Sequence, residues 1–179
     1  MTTIEETAYH EAGHVVVALA TEREFVYATI EPDRDGLGHV RPSRPDRDET
    51  VHLGQSVLTA LGGAIAVLIH GGEEPDPGQG GGKLGRLYLQ ARALVAENWG
   101  AVEALAQALI RRRTVTYAEA KRLFRTAGAS PAPATRRIVC DLDEAARAIL
   151  WNEIVSAGKG GCRWPPIGSR RARPRASAG

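Results

Sequence analysis

The chain has 179 residues, of which 43% are hydrophobic, 25% are charged and only 5% are aromatic, which is typical of one globular domain with an aliphatic core. Its net charge of +2 is unevenly distributed, because residues 158–179 carry six basic residues and no acid while residues 1–157 have a net charge of −4. This distribution excludes a strongly basic body, so no nucleic-acid partner is expected. An aliphatic core favours packed helices over a large sheet, so a mainly α fold is predicted.

No segment has the pattern of a targeting or membrane-spanning sequence. The amino terminus carries Glu5 and Glu6, and no basic residues precede an apolar run. The longest apolar stretch, residues 57–69, is shorter than the roughly 20 residues that a membrane span needs. We therefore expect no membrane span and a cytoplasmic location. The two cysteines, Cys140 and Cys162, lack the spacing of a metal site.

The predicted elements follow from hydrophobic periodicity, capping residues and turn formers. In chain order they are a helix at 3–19, strands at 25–31 and 37–42, helices at 50–70, 83–98 and 99–112, a short helix opening at 116–119, and a helix at 141–157. Residues 1–157 are predicted to form one domain, followed by a disordered Gly/Pro/Arg-rich tail at 158–179. Gly62 and Gly63 lower helix propensity within the second helix, so they indicate close packing against another element.

The residues with a chemical pattern lie in the first predicted helix, where Tyr-His-Glu-Ala-Gly-His at 9–14 contains His-Glu-x-x-His. Residues four apart on a helix share a face, so His10 and His14 can reach one ion. Neutral imidazole suits Zn²⁺, and Glu11 can take a proton from water activated by the metal. The pattern therefore predicts zinc as the cofactor, His10 and His14 as its ligands and Glu11 as the catalytic residue. The competing interpretation is a helix with two ordinary histidines.

A catalytic zinc usually has three protein ligands, and the spacing of this sequence does not fix the third. No further histidine follows closely, which argues against the extended metzincin pattern. We predict Asp76, in the Gly/Pro-rich loop at 71–82, as the third ligand. The alternatives are two acidic loop residues and three more remote histidines: Glu73, Glu74, His39, His52 and His70.

Together with later blocks, this motif resembles the peptidase domain of the FtsH family of membrane-bound, ATP-dependent zinc proteases. The family signature is the same His-Glu-Ala-Gly-His, here at 10–14. Thr-Ile-Glu-Pro at 29–32 and Gly-Leu-Gly at 36–38 resemble the segment after the family's motif helix. The remaining similarity lies in Leu-Gly-Gly at 61–63 with Ala66, in Gly71 and in the helix at 83–95, so that residues 5–125 are covered in all.

The resemblance implies a mainly helical, zincin-like peptidase fold with a small β-element next to the motif helix. It implies that His10 and His14 bind zinc and that Glu11 is the base. The strand at 25–31 would then pair with an extended peptide substrate, as exposed sheet edges do in other recognition domains.

One departure from the family concerns the third ligand. The family has an Asp at the start of the helix after the loop, where this chain has Lys83, and a lysine ammonium has no lone pair for zinc. Either Asp76, Glu73 or Glu74 replaces that ligand from the loop, or the site is incomplete.

The function predicted first is a zinc-dependent metalloendopeptidase that hydrolyses flexible or unfolded polypeptides. The alternative is a catalytically impaired peptidase-fold protein that binds peptides or partner proteins. A third hypothesis is a nucleic-acid-associated protein that uses its basic tail. No ATP is expected to bind, because residues 78–84 lack the phosphate-loop pattern and the chain starts nine residues before His10. The resemblance also suggests assembly into a homo-oligomer.

Overall fold

The structure, a computed structural model, describes residues 3–32, 36–43, 49–73 and 83–131, without the side chains of 49–53 and 83–84. The described residues form α1 (Ile4–Ala20), β1 (Phe25–Thr29), β2 (His39–Pro42), α2 (Glu49–His70), α3 (Lys83–Glu97), α4 (Trp99–Arg112), β3 (Thr114–Thr116) and α5 (Tyr117–Thr126). They are mainly helical with one small sheet, which confirms the predicted fold class at that level. The predicted helix at 141–157 and the tail at 158–179 lie outside the described residues.

Helix α1 begins at a capping box. The backbone N–H of Glu6 donates to the Thr3 hydroxyl at 3.0 Å, and the N–H of Thr3 donates to the Glu6 carboxylate at 2.7 Å. Almost every residue of α1 from Thr7 onwards is buried, because α2, α3, α4, α5 and the sheet all pack against it. Such a central position suits a helix that is mostly apolar, and it also buries the polar residues of the motif.

Helices α1 and α2 cross at two glycines. A Cβ built on Gly62 would lie 2.7 Å from the carbonyl oxygen of Gly13, and one built on Gly13 would collide with the carbonyl group of Gly62. The two backbones are therefore in direct contact, as the Gly-Gly pair in α2 predicts. The rest of the core is mainly aliphatic, with Leu58, Ile65, Leu87, Leu105 and Leu109 among the largest fully buried side chains.

The sheet has the strand order β2-β1-β3, and both pairings are antiparallel. Because β1 is the central strand, the expectation that its edge pairs with a substrate is wrong. Ala28 faces Val40 on one side and Val115 on the other. The predicted strands at 25–31 and 37–42 are each two residues longer than β1 and β2, and the sequence pattern did not predict the three-residue β3.

No helix of the described part of the chain is both long enough and apolar enough to span a bilayer. The longest described helix, α2 at 22 residues, instead packs along α1 and α3. Helix α2 thus leads from its crossing with α1 to residues 71–82, the segment that carries the acidic candidate ligands.

Candidate metal centre

Helix α1 brings the two motif histidines together. Because they are one helical turn apart, the Nε2 atoms of His10 and His14 lie 3.0 Å from each other. The rings are nearly perpendicular, with their centroids 4.5 Å apart. The two imidazoles therefore converge on one point beside α1.

His14 is oriented by the neighbouring helix. Its Nδ1 lies 2.6 Å from the backbone carbonyl oxygen of Thr59 on α2. A carbonyl can only accept a hydrogen bond, so Nδ1 carries the proton and donates, and Nε2 of the neutral ring keeps its lone pair. A backbone carbonyl behind the second ring nitrogen is a common support for a metal-binding histidine.

Both imidazoles are neutral at physiological pH. Burial lowers the pKa of His10 to about 3, and the neighbouring His14 adds to this effect. Burial likewise lowers the pKa of His14 to about 4, against the opposing effect of its hydrogen bond to Thr59. Neutral imidazole is the form that binds a metal, so protons compete only weakly at this site near pH 7.

Glu11 lies against the backbone just before β2, and it is only 2% exposed. A Cβ added to Gly38 would approach Oε1 and Cγ of Glu11 to 3.0 Å and the carbonyl oxygen of Thr29 to 2.8 Å. The backbone just before β2 therefore lies directly against the Glu11 carboxylate. The small β-element is next to the motif helix, and glycine at position 38 permits this contact.

The other candidate histidines and Glu73 have different surroundings. Nε2 of His39 lies 3.3 Å from the Tyr27 hydroxyl, across β1 and β2. The ring of His70 stacks on Tyr9 at a centroid distance of 3.6 Å, and its Nε2 lies 3.6 Å from a carboxylate oxygen of Glu5. Glu73 is exposed and lines a cavity of about 490 Å³ formed with Leu89, Arg92 and their neighbours.

The third ligand is not placed by the structure. Across residues 3–32, 36–43, 49–73 and 83–131, no three His, Cys, Asp or Glu side chains form a group that could hold a metal. Asp76, the predicted third ligand, and Glu74 lie outside the described residues, and the side chains of His52 and Lys83 are not described. The site is thus defined by His10, Glu11 and His14.

The donors that are present fit zinc. Two nitrogen ligands on a tetrahedral zinc with bonds of about 2.0–2.1 Å are separated by about 3.4 Å, close to the 3.0 Å between the Nε2 atoms of His10 and His14. His14 presents a lone pair at Nε2, and its opposite nitrogen is held by the protein. Glu11, beside His10 in the chain, supplies a carboxylate from the same helix.

Sequence analysis missed three contributors to this site. The Thr59 carbonyl is a main-chain atom, so no side-chain pattern reveals it. Gly63 lies against both imidazoles, whereas the sequence pattern predicts only close packing of the Gly62–Gly63 pair. Gly38 was interpreted as part of a strand, and its contact with Glu11 depends on the tertiary fold.

Comparison of the chain with protein-family models and with curated proteins found no match. The interpretation of the site therefore depends on its geometry and donor chemistry.

Proposed function

We propose that this chain is a zinc-dependent metalloendopeptidase with an FtsH-like peptidase domain, and that it hydrolyses peptide bonds in flexible or unfolded polypeptides. The observation that carries the proposal is the arrangement around His14. Its Nδ1 donates to the Thr59 carbonyl, and its Nε2 lies 3.0 Å from Nε2 of His10. A metal-free histidine pair would hold the same distance by a hydrogen bond between the two rings, so zinc content distinguishes the two cases.

In this proposal His10 and His14 hold the metal, and a third ligand comes from the loop after α2, with Asp76 preferred over Glu73 and Glu74. When bound, zinc supplies Lewis acidity and lowers the pKa of a coordinated water. Glu11 takes the proton from the attacking water and passes it to the leaving amine. The buried position of Glu11 keeps bulk water away from this proton transfer.

The peptide substrate is expected at β2. Both sides of β1 are occupied within the sheet, whereas β2 pairs with β1 on one side only among the described strands. Strand β2 begins directly after Gly38, whose backbone contacts Glu11, so a peptide added alongside β2 would run past the catalytic carboxylate. Strand addition requires an extended chain, which favours flexible or unfolded substrates.

The alternative is a catalytically impaired protein that binds peptides or partner proteins through the same fold. Lys83 favours it, because by the resemblance this lysine occupies the place of the family's third ligand. The two proposals differ in one measurable property, since a catalytic site retains zinc and an incomplete one with two ligands holds it weakly.

The test is the zinc content of the purified, untagged chain by elemental analysis, beside His14→Ala. We expect about one zinc per chain in the native protein and almost none in His14→Ala. Glu103→Ala, at an exposed residue of α4 that is not a candidate ligand, is the control. Little zinc in the native protein, even after zinc is added back, would refute the peptidase proposal and leave the binding role.

If the native protein contains zinc, a second comparison tests the catalytic role of Glu11. Glu11→Gln should retain the metal but lower the hydrolysis of an unfolded polypeptide by about 100-fold or more, because it removes the base and not a ligand. Glu97→Gln, at an exposed residue of α3, is the control. Zinc content in Asp76→Ala, Glu73→Ala and Glu74→Ala then identifies the third ligand.

A further inference from the structure

Gly63, on α2, faces the histidine pair directly. A Cβ at this position would lie 2.5 Å from Cε1 and 2.6 Å from Nε2 of His14, and 3.0 Å from Cε1 of His10. Real Cβ atoms essentially never approach other atoms to less than 3.0 Å. Only glycine therefore fits beside the two rings as they stand.

The His14 ring has no room to move away from an added side chain. It is fully enclosed, and its Nδ1 is bound to the carbonyl of Thr59. Thr59 and Gly63 are four residues apart on α2, so the same face of this helix both holds the ring and approaches it. The spacing of α1 and α2 is fixed next to this point by the backbone contact of Gly13 with Gly62.

We infer that Gly63 is a positioning residue for the metal site, an inference that rests on the proposed zinc-dependent function. Because position 63 has no side chain, α2 can lie directly against Nε2 of His14 and the His10 ring, while Thr59 one turn earlier fixes the orientation of His14. Helix α2 thus orients the proposed ligands His10 and His14, which lie on α1. Any side chain at position 63 displaces the His14 ring or occupies the space beside its metal-binding nitrogen.

The test compares Gly63→Ala with native protein by zinc titration and by the visible absorption of the cobalt(II)-substituted chain. Loss of an outer-shell support typically weakens metal binding about 10- to 100-fold, and we expect a loss in this range together with a changed cobalt spectrum. Gly100→Ala is the matched control, because Gly100 is also helical and the nearest atom to its added Cβ is 4.0 Å away. Native zinc affinity in Gly63→Ala would overturn the inference.

A double-mutant cycle, measured in the presence of a metal chelator, separates a specific effect on His14 from general destabilisation. Gly63→Ala should lower the Tm of the native background by several degrees, as overpacking of a core does. In the His14→Ala background the ring is gone, so the same substitution should cost much less. An equal Tm loss in both backgrounds would contradict a role through His14.

Failure of this inference is distinguishable from failure of the proposed function. A native chain that takes up no zinc refutes the proposed function, and the metal role of Gly63 falls with it. A native chain that binds zinc, beside a Gly63→Ala variant that binds it equally well, refutes only the role of Gly63.

Discussion

The two ring nitrogens of His14 serve different partners. Nδ1 is used by the protein, through the carbonyl of Thr59, and Nε2 points to His10. Because a carbonyl cannot donate, this contact selects one tautomer and leaves the lone pair on the nitrogen nearer to His10. The chemistry of the pair therefore depends on a main-chain atom of a different helix as much as on the motif itself.

The lowered histidine pKa values predict an acid-sensitive stability in the metal-free protein. The folded-state pKa values of about 3 for His10 and about 4 for His14 lie below the ordinary value of 6.5. At pH values between the folded-state and the ordinary pKa, the unfolded chain binds protons that the folded chain excludes. The free energy of unfolding is therefore highest above about pH 6.5 and falls as the pH decreases. The expected loss is on the order of 1 kcal/mol per pH unit for each histidine.

Urea unfolding in chelator, at several values between about pH 7 and pH 5, measures this dependence. The double variant His10→Asn with His14→Asn is the control and should show a much flatter dependence of the unfolding free energy on pH. Equal slopes in the two proteins would assign the acid sensitivity to other groups.

At the level of elements, the crossing of α1 and α2 determines whether the site can form. The contact of Gly13 with Gly62 places α2 close enough for Thr59 to reach His14. The same proximity brings Gly63 against the rings. A wider crossing would lose the hydrogen bond to Thr59, although His10 and His14 would remain on one face of α1.

Gly62→Ala should therefore separate the helices. The added Cβ would lie 2.7 Å from both the carbonyl oxygen of Gly13 and Cγ2 of Val17, and backbone atoms cannot rotate away. We expect destabilisation of about 1–3 kcal/mol, measured by urea unfolding. Gly100→Ala, which removes a helical glycine without a clash, should be neutral or stabilising by up to about 1 kcal/mol. Similar effects of the two substitutions would contradict the role of the crossing.

Strand order predicts where a substrate is captured. A photo-crosslinking amino acid at the exposed Arg41 of β2 should crosslink to an unfolded polypeptide, because a peptide beside β2 would lie against it. The same group at the exposed Glu103 of α4 should capture little and is the control. Equal capture at both positions would indicate non-specific binding, and no capture at Arg41 would contradict a substrate at this strand.

Local signals in the sequence predicted the helices well. The predicted helices at 3–19 and 50–70 agree with α1 and α2 to within one residue at each end, because capping residues and hydrophobic periodicity are local properties. The Gly62–Gly63 pair likewise predicted a close contact. The place of β1 in the centre of the sheet was missed because it depends on β3, which is too short to leave a pattern.

The candidate site was predictable only in part, for a similar reason. His10, Glu11 and His14 are recognisable because their spacing matches the helical repeat. The contributions of Thr59 and Gly38 come from main-chain atoms brought close by the fold, so their residue types give no indication.

At the scale of the whole molecule, the site is part of the core. His14 and Glu11 are each 2% exposed, His14 against α2 and Glu11 against the backbone before β2. A ligand that binds the folded chain but not the unfolded one stabilises the fold by mass action. Metal binding and folding should therefore be coupled in this protein.

Zinc should raise the Tm of the chelator-stripped native protein. At a free zinc concentration about 100-fold above the Kd, the unfolding free energy should increase by about 2.7 kcal/mol, because only the folded state presents His10 and His14 together. Thermal unfolding with and without zinc measures the shift, and His14→Ala should show almost none. An equal shift in that variant would mean that zinc binds elsewhere.

The central position of α1 also governs how a metal reaches the site. Because other elements cover α1 from Thr7 onwards, we expect its backbone amides to be strongly protected from exchange with solvent. A growing or partly folded chain can place His10 and His14 on one helical face, but it lacks the Thr59 carbonyl that orients His14. Within residues 10–14, His10 alone keeps some exposed surface. An ion that binds the folded chain would therefore arrive from the side of His10.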